Sequence, residues 1–399
     1  MPAPDGGRQK IVFAKRLRLP SRTAGVLQTL CMAAAFAEAG AAVRLYPGVR
    51  RGPTWMELHA RTREDYALPA LDGLRVTPLS GEHKGLYGLF FRERILADYL
   101  FGRGVFYARD VKEALFVARL RRRLPLRRPL FFEMHEILFR QRERLGGGDP
   151  ARTRAMEETL LAEVDGIISI SEHLAGEIRD AFRPVAPIMV SPMGYNPRIF
   201  TAQPDIDPDT PEITLAYVGS LYEGKGVQHL VEAMRHLPPR YRLKVIGGTP
   251  PARMKELRRQ AATMPGGDAR VLFTGHLPPR AVADELRGCH VFVIPQSSDV
   301  EYFSPIKLYE AVGTALPIVL TPLPTLRAAL EADVNAVFAA GATPVALAEA
   351  VRSVVERPAL AHAIQAANRS LAKRLTWEKR AEGILDFMAA VRGRSARPQ

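Results

Sequence analysis

A short segment just past the middle of the chain places a glycine and a lysine between an apolar strand and a helix. Residues 213–219 form an apolar run that ends in Gly219, a short loop carries Lys225, and an amphipathic helix follows. Free backbone N–H groups and the positive end of a helix dipole favour a phosphate there, and a lysine adds a full charge. The spacing of a P-loop is missing. The segment is a candidate phosphate site, and an ordinary strand-to-helix turn with a surface lysine is the alternative.

A second helix start lies at residues 304–310. Ser304 is a good N-cap, and Pro305 occupies the first helical position, where its missing N–H costs nothing. Lys307 and Glu310 are three residues apart and therefore share one helix face. A lysine in a first turn opposes the helix dipole, which indicates an anion nearby, and a carboxylate can accept hydrogen bonds from vicinal hydroxyls. The alternative is a surface ion pair.

The elements that must position these residues alternate along the whole chain. Short apolar runs between helical patterns predict an α/β protein with parallel sheets. The predicted strands are residues 10–14, 42–46, 105–108, 130–134, 166–169, 188–190, 213–219, 242–246, 271–274, 290–295 and 317–320. A helix is predicted to follow the first strand as far as Ala39, and an amphipathic helix spans 376–391.

A Pro- and Asp-rich stretch at residues 201–212 divides this pattern into two halves. We therefore predict two Rossmann-like, doubly wound domains, residues 1–200 and 213–375, joined by a linker at 201–212 and facing each other across a cleft. Ligands are expected at the carboxyl ends of the strands. Residues 376–399 form a last helix and tail, of which 392–399 are expected to be frayed.

Composition narrows the class of protein. With 47% hydrophobic and 25% charged residues, the chain is neither disordered, collagen-like nor a coiled coil. Its longest uncharged stretches, residues 23–37 and 311–326, are too short or too rich in proline to cross a bilayer, and its N-terminus lacks the apolar core of a signal peptide. We therefore expect a cytoplasmic protein. Only Cys31 and Cys289 are present, which excludes a disulfide framework and a cysteine zinc site.

The net charge of +14 is concentrated in the first half of the chain. Residues 1–200 hold 32 Lys and Arg against 22 Asp and Glu, and residues 119–128 are the densest basic run. Such a surface suits nucleic acid, acidic lipid or a phosphorylated substrate. Because no nucleic-acid motif or aromatic-rich basic face is present, nucleic acid is not an expected partner. An anionic membrane at the inner face of the cell is expected, and a solvated arginine-rich face is the alternative.

Several segments follow one another in a characteristic order. In the second half they are YVGSLYEGKGVQHLVEAM, LKVIGG, VLFTGHLPP, VFVIPQ and SPIKLYEAVGTALPIVLT. In the first half they are SRTAGVLQTLCMAAAFAEAGAAVRLY, FFEMHE, IISISEHLAGEI and SPMGYNPRIF, and LTWEKRAEGIL lies near the C-terminus. Their order and spacing resemble the retaining glycosyltransferases of family 4 (glycosyl transferases group 1). The resemblance implies the GT-B fold, in which the C-terminal helix crosses back to the first domain.

The resemblance implies a set of donor-binding residues. Gly219, Ser220 and Lys225 would hold the diphosphate of a nucleotide-sugar, and Glu310 would bind the ribose hydroxyls. The other residues that it implies at the donor are Gly25, Gly247, His276, Leu277, Phe303, Ser304, Pro305, Lys307 and Leu308.

A histidine in the first half completes the implied catalytic set. His135 follows the predicted strand LFFEM and lies where the family keeps an active-site histidine near the sugar. Glu133 and Glu136 are close enough in sequence to tune it, although a lone histidine is more often structural. The implied catalytic residues are therefore His135, Lys225 and Glu310.

Three positions depart from the family's usual pattern. Ser220 stands where an Arg often pairs with the Lys on the diphosphate, and Tyr302, next to Glu301, stands where the first of two glutamates is expected. Ala315 replaces a Gly after the glutamate helix. Because Lys307 can replace part of the lost positive charge, the chain is placed in a Ser-Pro-x-Lys branch of the family.

The implied activity is a hexosyl transfer with retention, from a nucleoside-diphosphate sugar such as a UDP- or GDP-sugar to a hydroxyl of a glycan or lipid-linked acceptor. It would serve cell-surface polysaccharide or glycolipid synthesis and need neither cofactor nor metal. Asp205, Asp207 and Asp209 have the spacing of a metal motif, but they lie in the predicted linker, where Asp and Pro are ordinary turn formers. The alternative is a nucleotide-sugar-binding or scaffolding subunit that has lost turnover.

Overall fold

The chain forms two compact units. The computed structural model describes residues 8–21, 23–49, 55–69, 71–81, 83–207, 209–298 and 306–395. The first unit comprises Met1–Glu64, Leu68–Met193 and Trp377–Gln399, and the second comprises Asp65–Ala67 and Gly194–Thr376. The first and the last residues that the structure describes, Arg8 and Ser395, therefore both lie in the first unit.

The first unit is built on parallel strands. In the described residues they are β1 (Lys10–Ala14), β2 (Arg18–Leu19), β3 (Ala42–Leu45), β4 (Gly48–Val49), β5 (Leu74–Val76), β6 (Leu79–Ser80), β7 (Val105–Ala108), β8 (Leu130–Met134), β9 (Gly166–Ser169) and β10 (Ile188–Val190). Seven of them form one sheet in the order β10-β9-β8-β7-β1-β3-β5, and β2-β4-β6 form a small separate sheet. The helices between these strands are α1 (Ala24–Glu38), α2 (Trp55–Asp65), α3 (Lys84–Phe101), α4 (Val111–Arg123), α5 (Leu138–Leu145), α6 (Pro150–Leu161) and α7 (Glu172–Phe182).

The second unit repeats the pattern around one sheet. Its described strands are β11 (Ile213–Val218), β12 (Tyr241–Ile246), β13 (Val271–Gly275), β14 (Val291–Ile294), β15 (Ile318–Leu320) and β16 (Val337–Phe338). They are parallel and lie in the order β13-β12-β11-β14-β15-β16. Its helices are α8 (Val227–Ala233), α9 (Pro251–Ala262), α10 (Gly267–Arg270), α11 (Pro279–Leu286), α12 (Ile306–Thr314), α13 (Pro324–Arg327), α14 (Pro344–Val355) and α15 (Pro358–Ala372), with 3-10 turns at Glu223–Lys225 and Met234–His236.

The predicted α/β class with parallel sheets is confirmed in both units. Strands β1, β7, β8 and β9 begin and end at the predicted residues, and almost all of their side chains are buried. Burial on both faces explains this agreement, because a strand covered on both sides needs a continuous apolar run. No strand was predicted at residues 18–19, 48–49, 74–76, 79–80 or 337–338, where the observed strands are only two or three residues long.

The stretch predicted as a linker is packed against α15. Ile206 is buried in the core of the second unit, and its N–H donates to Gln365 Oε1 at 3.1 Å. Gln365 Nε2 donates in turn to the carbonyl of Pro204, and Arg369 pairs with Asp205. Residues 204–206 of the segment are therefore held by one helix of the second unit.

The chain ends in α16 (Trp377–Ser395), which belongs to the first unit and packs against α1. Its apolar face buries Ile384 and Met388, and the Phe387 ring lies edge-on to Phe131 of β8, with ring centres 5.9 Å apart. The helix extends four residues beyond its predicted end at Val391, as far as Ser395. Among the described helices, none has the length and apolar character needed to cross a membrane.

Candidate functional site

The carboxyl end of β8 brings an acid and a histidine together. Glu133 is fully buried within the strand, and His135 follows directly after it. Because alternate residues of an extended chain point to the same side, the two side chains meet, with His135 Nε2 2.5 Å from Glu133 Oε1. The predicted proximity of Glu133 is therefore confirmed. Glu136, on the other side of the histidine, is engaged by Gln141 instead.

Two residues of neighbouring elements hold this pair. Gln28 of α1 donates from Nε2 to Glu133 Oε1 at 2.5 Å. Arg109, directly after β7, places Nη2 3.3 Å from His135 Nδ1 and also donates to the carbonyl of Gly25. Since Arg109 can only donate, we assign the proton of the neutral imidazole to Nε2, from which it is donated to Glu133. Gly25 thus positions Arg109 through its backbone, and a Cβ at Gly25 would meet no atom within 4 Å.

The last helix supplies the countercharge of Glu133. Arg380 of α16 places Nη2 3.2 Å from Glu133 Oε1 and Nη1 3.3 Å from Oε2, while its Nε donates to the carbonyl of Pro192 at 2.8 Å. The Tyr107 hydroxyl donates to Glu133 Oε2. Such a two-pronged guanidinium–carboxylate contact is among the stronger hydrogen-bonded ion pairs in proteins.

The surroundings set the charges of this cluster. Burial raises the pKa of Glu133, but Arg380 and His135 outweigh it and hold the pKa at about 2. Burial, followed by the charge of Arg109, lowers the pKa of His135 to about 4. Burial and Arg380 lower the pKa of Arg109 to about 10. Near neutral pH the cluster therefore holds one carboxylate, two guanidinium ions and an uncharged imidazole.

The carboxyl edge of the second sheet is made of closely packed backbone. Gly219 follows β11 and Gly247 follows the adjacent β12; a Cβ built at Gly247, where φ is +153°, would lie 1.8 Å from the carbonyl oxygen of Gly219. A Cβ at Gly248 would lie 3.1 Å from both Gly275 Cα and His276 N. Only glycine permits this approach at Gly247, and three strand ends consequently present backbone groups side by side.

The turn that carries Lys225 is tied to the end of β14. Gly226 has φ +68°, and a Cβ there would lie 1.8 Å from the carbonyl oxygen of Pro295. The Ser297 N–H donates to the carbonyl of Gly224 at 3.1 Å. Lys225 itself is half-buried, and burial lowers the pKa of its ammonium group. Lys225 is therefore half-buried on a turn that is tied to β14, whereas the alternative was a surface lysine on an ordinary turn.

Helix α12 carries the second predicted pair. Lys307 Nζ lies 2.7 Å from Glu310 Oε2, and Glu310 is only 3% exposed. The alternative of a surface ion pair therefore does not hold. Leu308 is fully buried, so its side chain belongs to the core and only its backbone is available to a ligand. Ala315, after the helix, has φ +54°, a left-handed conformation that suits the Gly expected there.

Some predicted positions are seen only in part or not at all. Phe303, Ser304 and Pro305 lie outside the described residues, as do Glu301 and Tyr302. The remaining donor residues predicted from the sequence lie beside the strand ends already described, namely Ser220 after Gly219, and His276 and Leu277 after Gly275.

Four residues of the histidine cluster were missed by sequence reasoning. They are Gln28, Tyr107, Arg109 and Arg380. Arg109 had a usable signal, since it is the charged residue directly after a predicted strand, as His135 is. Arg380 had none, because it lies 247 residues from Glu133 on a helix of ordinary amphipathic pattern.

Two charged segments turn out to have structural partners. In the basic run at 119–128, Arg121 donates to both carboxylate oxygens of Asp165 at 2.9 and 3.0 Å, and Arg128 donates to the carbonyl of Tyr99. In the Asp-rich stretch, Asp205 pairs with Arg369. Within the described ranges, no group of three or more His, Cys, Asp or Glu could hold a metal ion.

Comparison with known proteins shows that this chain is similar to glycosyltransferases. Residues 212–357 match the family model described as Glycosyl transferases group 1. The chain is 27% identical over 290 residues to a D-inositol 3-phosphate glycosyltransferase of Xylanimonas cellulosilytica, covering 67% of this chain and 68% of that protein. It is 29% identical over 258 residues to a glycogen synthase of Mycobacterium tuberculosis, covering 62% of this chain and 60% of that protein.

Solved structures match over almost the whole chain. Sucrose-phosphate synthase from Thermosynechococcus elongatus has a TM-score of 0.73 at 17% identity, over 97% of this chain and 100% of that chain. HepE from Anabaena, in complex with UDP, has a TM-score of 0.71 at 16% identity, over 96% and 100%. The predicted GT-B fold, with two Rossmann-like domains, is confirmed, and the second unit carries the match to the group 1 glycosyl transferases.

Proposed function

We propose that this chain is a retaining, metal-independent glycosyltransferase of the Ser-Pro-x-Lys branch of family 4, which transfers a hexosyl group from a nucleoside-diphosphate sugar to an acceptor hydroxyl. The observation that carries the proposal is the fixed Lys225 turn beside the glycine edge of the second sheet. A glycine-lined turn that carries a cation and leads into a helix suits a diphosphate. Glycosyltransferases among the relatives, and UDP in the HepE structure, support the choice of ligand.

The charges of the second unit suit the departing diphosphate. Negative charge grows on that group as the sugar bond breaks, and fixed positive charges aimed at it lower the barrier. Lys225 and Lys307 supply this charge, so neither metal nor cofactor takes part in the proposed mechanism. Burial lowers the pKa of Lys225, and a neighbouring anion would act in the opposite direction and raise it. Buried Glu310 is proposed to accept hydrogen bonds from the ribose hydroxyls, and uncharged His135 to face the sugar.

Titration calorimetry with UDP, GDP, ADP, dTDP and CMP tests the donor proposal. One diphosphate should bind in a saturable manner, and Lys225→Ala should weaken it roughly 10- to 100-fold, since a hydrogen bond to a charged group contributes about 1.5–3 kcal/mol. Lys255→Ala removes an exposed lysine from the same unit and should bind as the wild type does. The proposal fails if no diphosphate binds, or if both variants bind equally well.

A turnover assay separates the enzyme from a scaffolding subunit. The wild type should consume the UDP- or GDP-sugar that binds, and His135→Ala should reduce kcat more than donor affinity. Donor binding without consumption, across glycan and lipid-linked acceptors, would favour the subunit that has lost turnover. The proposed setting is polysaccharide or glycolipid synthesis on the cytoplasmic side of a membrane. One relative, covering 44% of this chain at 28% identity, is a putative colanic acid biosynthesis glycosyltransferase of Escherichia coli.

The membrane contact is also proposed, with the basic run at 119–128 as its surface. Arg121 and Arg128 are engaged inside the unit, whereas Arg127, whose Nη2 lies 3.4 Å from Asp165 Oδ1, keeps 81% of its side chain exposed and can meet acidic lipid. Each basic residue near an anionic surface contributes about 1 kcal/mol. Arg127→Gln should therefore weaken co-sedimentation with phosphatidylglycerol vesicles at low salt. Equal binding to neutral vesicles would contradict the proposal.

A further inference from the structure

A cavity of about 260 Å³ lies in the first unit, away from the strand ends described above. Lys10, which begins β1, and Gly104, which precedes β7, line it, so it reaches the amino-terminal edge of the sheet. His135 lies at the opposite, carboxyl-terminal edge. One water needs only about 10–15 Å³ of such space, so the cavity accepts a much larger group.

The lining of this cavity is strongly basic. Lys10, Arg44, Arg94 and Arg103 contribute four cations, and Asp98 is the single carboxylate among the lining residues. Asp98 is 4% exposed, and both of its oxygens are engaged, one by Arg44 and the other by the Tyr46 hydroxyl at 2.6 Å. Its charge is therefore committed to Arg44 and does not balance the other three cations.

The remaining positive charge has no acidic partner. In the part of the chain that the structure describes, Lys10, Arg94 and Arg103 form no ion pair. The C-terminal end of α3 supplies a partial charge of about −0.5. Four cations against Asp98 and this helix end leave a clear positive excess around one open cavity, and these like charges repel one another. An anion of two negative charges would relieve that repulsion.

We propose that this cavity binds a phosphate group. Asp98, which the Tyr46 hydroxyl holds in place, fixes Arg44, whose side chain remains 42% exposed. A guanidinium held in this way is preorganised to donate two parallel hydrogen bonds to a phosphate. Arg94 and Arg103 approach from the last turns of α3 and the loop after it. The site shares no residue with the proposed donor site, so it goes beyond the glycosyl transfer proposed above.

Two sources could supply the phosphate, a soluble phosphate compound or the headgroup of an anionic lipid. Phe101 stands at the rim with 87% of its surface exposed. An exposed apolar side chain next to a basic pocket suits a lipid surface, whereas a soluble phosphate needs only the cations.

Calorimetric titration with inorganic phosphate tests the cavity, in a Lys225→Ala background so that the donor loop does not contribute. Phosphate should bind in a saturable manner, and Arg94→Gln/Arg103→Gln should weaken it at least tenfold. Both arginines are exposed, so the protein should remain folded. Lys112→Gln/Arg152→Gln removes the same charge from exposed positions of the same unit and should change affinity less than twofold. The proposal is overturned if both double variants weaken phosphate binding equally. It is also overturned if the Lys225→Ala protein shows no saturable phosphate binding.

Co-sedimentation with vesicles identifies the source. If a lipid headgroup is the ligand, phosphatidylcholine vesicles containing phosphatidic acid should pellet the protein, and both Arg94→Gln/Arg103→Gln and Phe101→Ser should reduce this severalfold. If a soluble phosphate is the ligand, Phe101→Ser should leave the phosphate titration unchanged, and neither Phe101→Ser nor Arg94→Gln/Arg103→Gln should change the pelleting by these vesicles. Pelleting that the arginine pair does not affect would contradict the lipid source. In every case Arg94→Gln/Arg103→Gln should bind nucleoside diphosphates as the wild type does, which separates this result from the donor proposal.

Discussion

The two sheets end at their carboxyl edges in different ways. In the first unit, the edge holds buried charges, with Glu133 between Arg380 and the His135 ring. In the second unit, the edge is bare backbone, where Gly219 and Gly247 approach so closely that no side chain fits between them. The same parallel sheet architecture therefore has one carboxyl edge that is stabilised by buried ion pairs and another where glycines let the backbone of neighbouring strands pack closely.

This difference determines what each edge can tolerate. A buried ion pair is sensitive to the loss of either partner and to protonation, because desolvated charge is costly when it is unpaired. A glycine edge is insensitive to pH but cannot accept an added carbon atom. It also brings backbone, rather than side chains, to the strand ends.

The largest expected effect comes from removing the countercharge of Glu133. Arg380→Met should lower the free energy of unfolding by about 3–5 kcal/mol, because the carboxylate stays buried without its partner. Urea unfolding measures this change. Lys379→Met removes an exposed lysine paired with Glu382 and should cost less than about 1 kcal/mol. Adding Glu133→Gln to Arg380→Met should recover part of the loss, and an unchanged stability of Arg380→Met would show that the charged edge does not depend on this pair.

Adding one carbon to the glycine edge is expected to have the next largest effect. Gly247→Ala should lower the free energy of unfolding by about 1–3 kcal/mol and weaken nucleoside-diphosphate binding, because the strand ends must move apart. Gly341→Ala, at a glycine of the same unit with open space around it, should do neither. Unfolding curves and calorimetry report the two effects. A Gly247→Ala protein that binds diphosphate normally would separate this edge from the ligand.

The pH dependence of stability should distinguish the two edges further. The folded-state pKa of His135, about 4, lies below its usual 6.5, so the unfolded chain binds the extra proton first. The contribution of His135 is therefore complete above pH 6.5 and is lost as the pH falls toward 4, by up to about 1.4 kcal/mol per pH unit. Glu133 adds a second loss between pH 4.5 and 2.

Unfolding measured between pH 7 and 5 tests this dependence. His135→Gln should show a shallower loss of stability than the wild type over that range. His236→Gln, at an exposed position of the second unit, should follow the wild-type curve. Identical slopes for the wild type and His135→Gln would mean that His135 is not held neutral by its surroundings.

The smallest effect is expected outside both edges. Asp205→Ala/Asp207→Ala removes two of the three aspartates of the Asp-rich stretch, and one of these two, Asp205, pairs with Arg369 in a largely exposed contact. We expect less than about 1 kcal/mol of destabilisation and near-normal turnover, since exposed pairs contribute little. Activity should also survive EDTA. If EDTA abolishes the activity, Mg²⁺ restores it, and this variant has lost the activity, then the stretch is a metal site.

Features that depend on residues close together in the sequence could be predicted, and contacts between distant elements could not. Strand β8 was predicted at its observed residues because its burial requires an unbroken apolar run, and His135 follows from the end of that strand. The spacing of Lys307 and Glu310 predicted a shared face, but not that Glu310 is buried, which depends on the packing of α12. Arg380 could not be assigned to Glu133, because the contact depends on where a distant helix packs.

The position of Arg380 also affects how the protein is made. Glu133 and Arg380 are separated by 247 residues, and all but a few residues of the second unit lie between them. At roughly 5–20 residues per second, a ribosome needs about 12–50 s to cover that interval. During this time the nascent first unit contains Glu133 but not yet Arg380, its main countercharge. The first unit is therefore expected to reach its final packing only after the second unit has emerged, so that the order of synthesis and the order of completion differ.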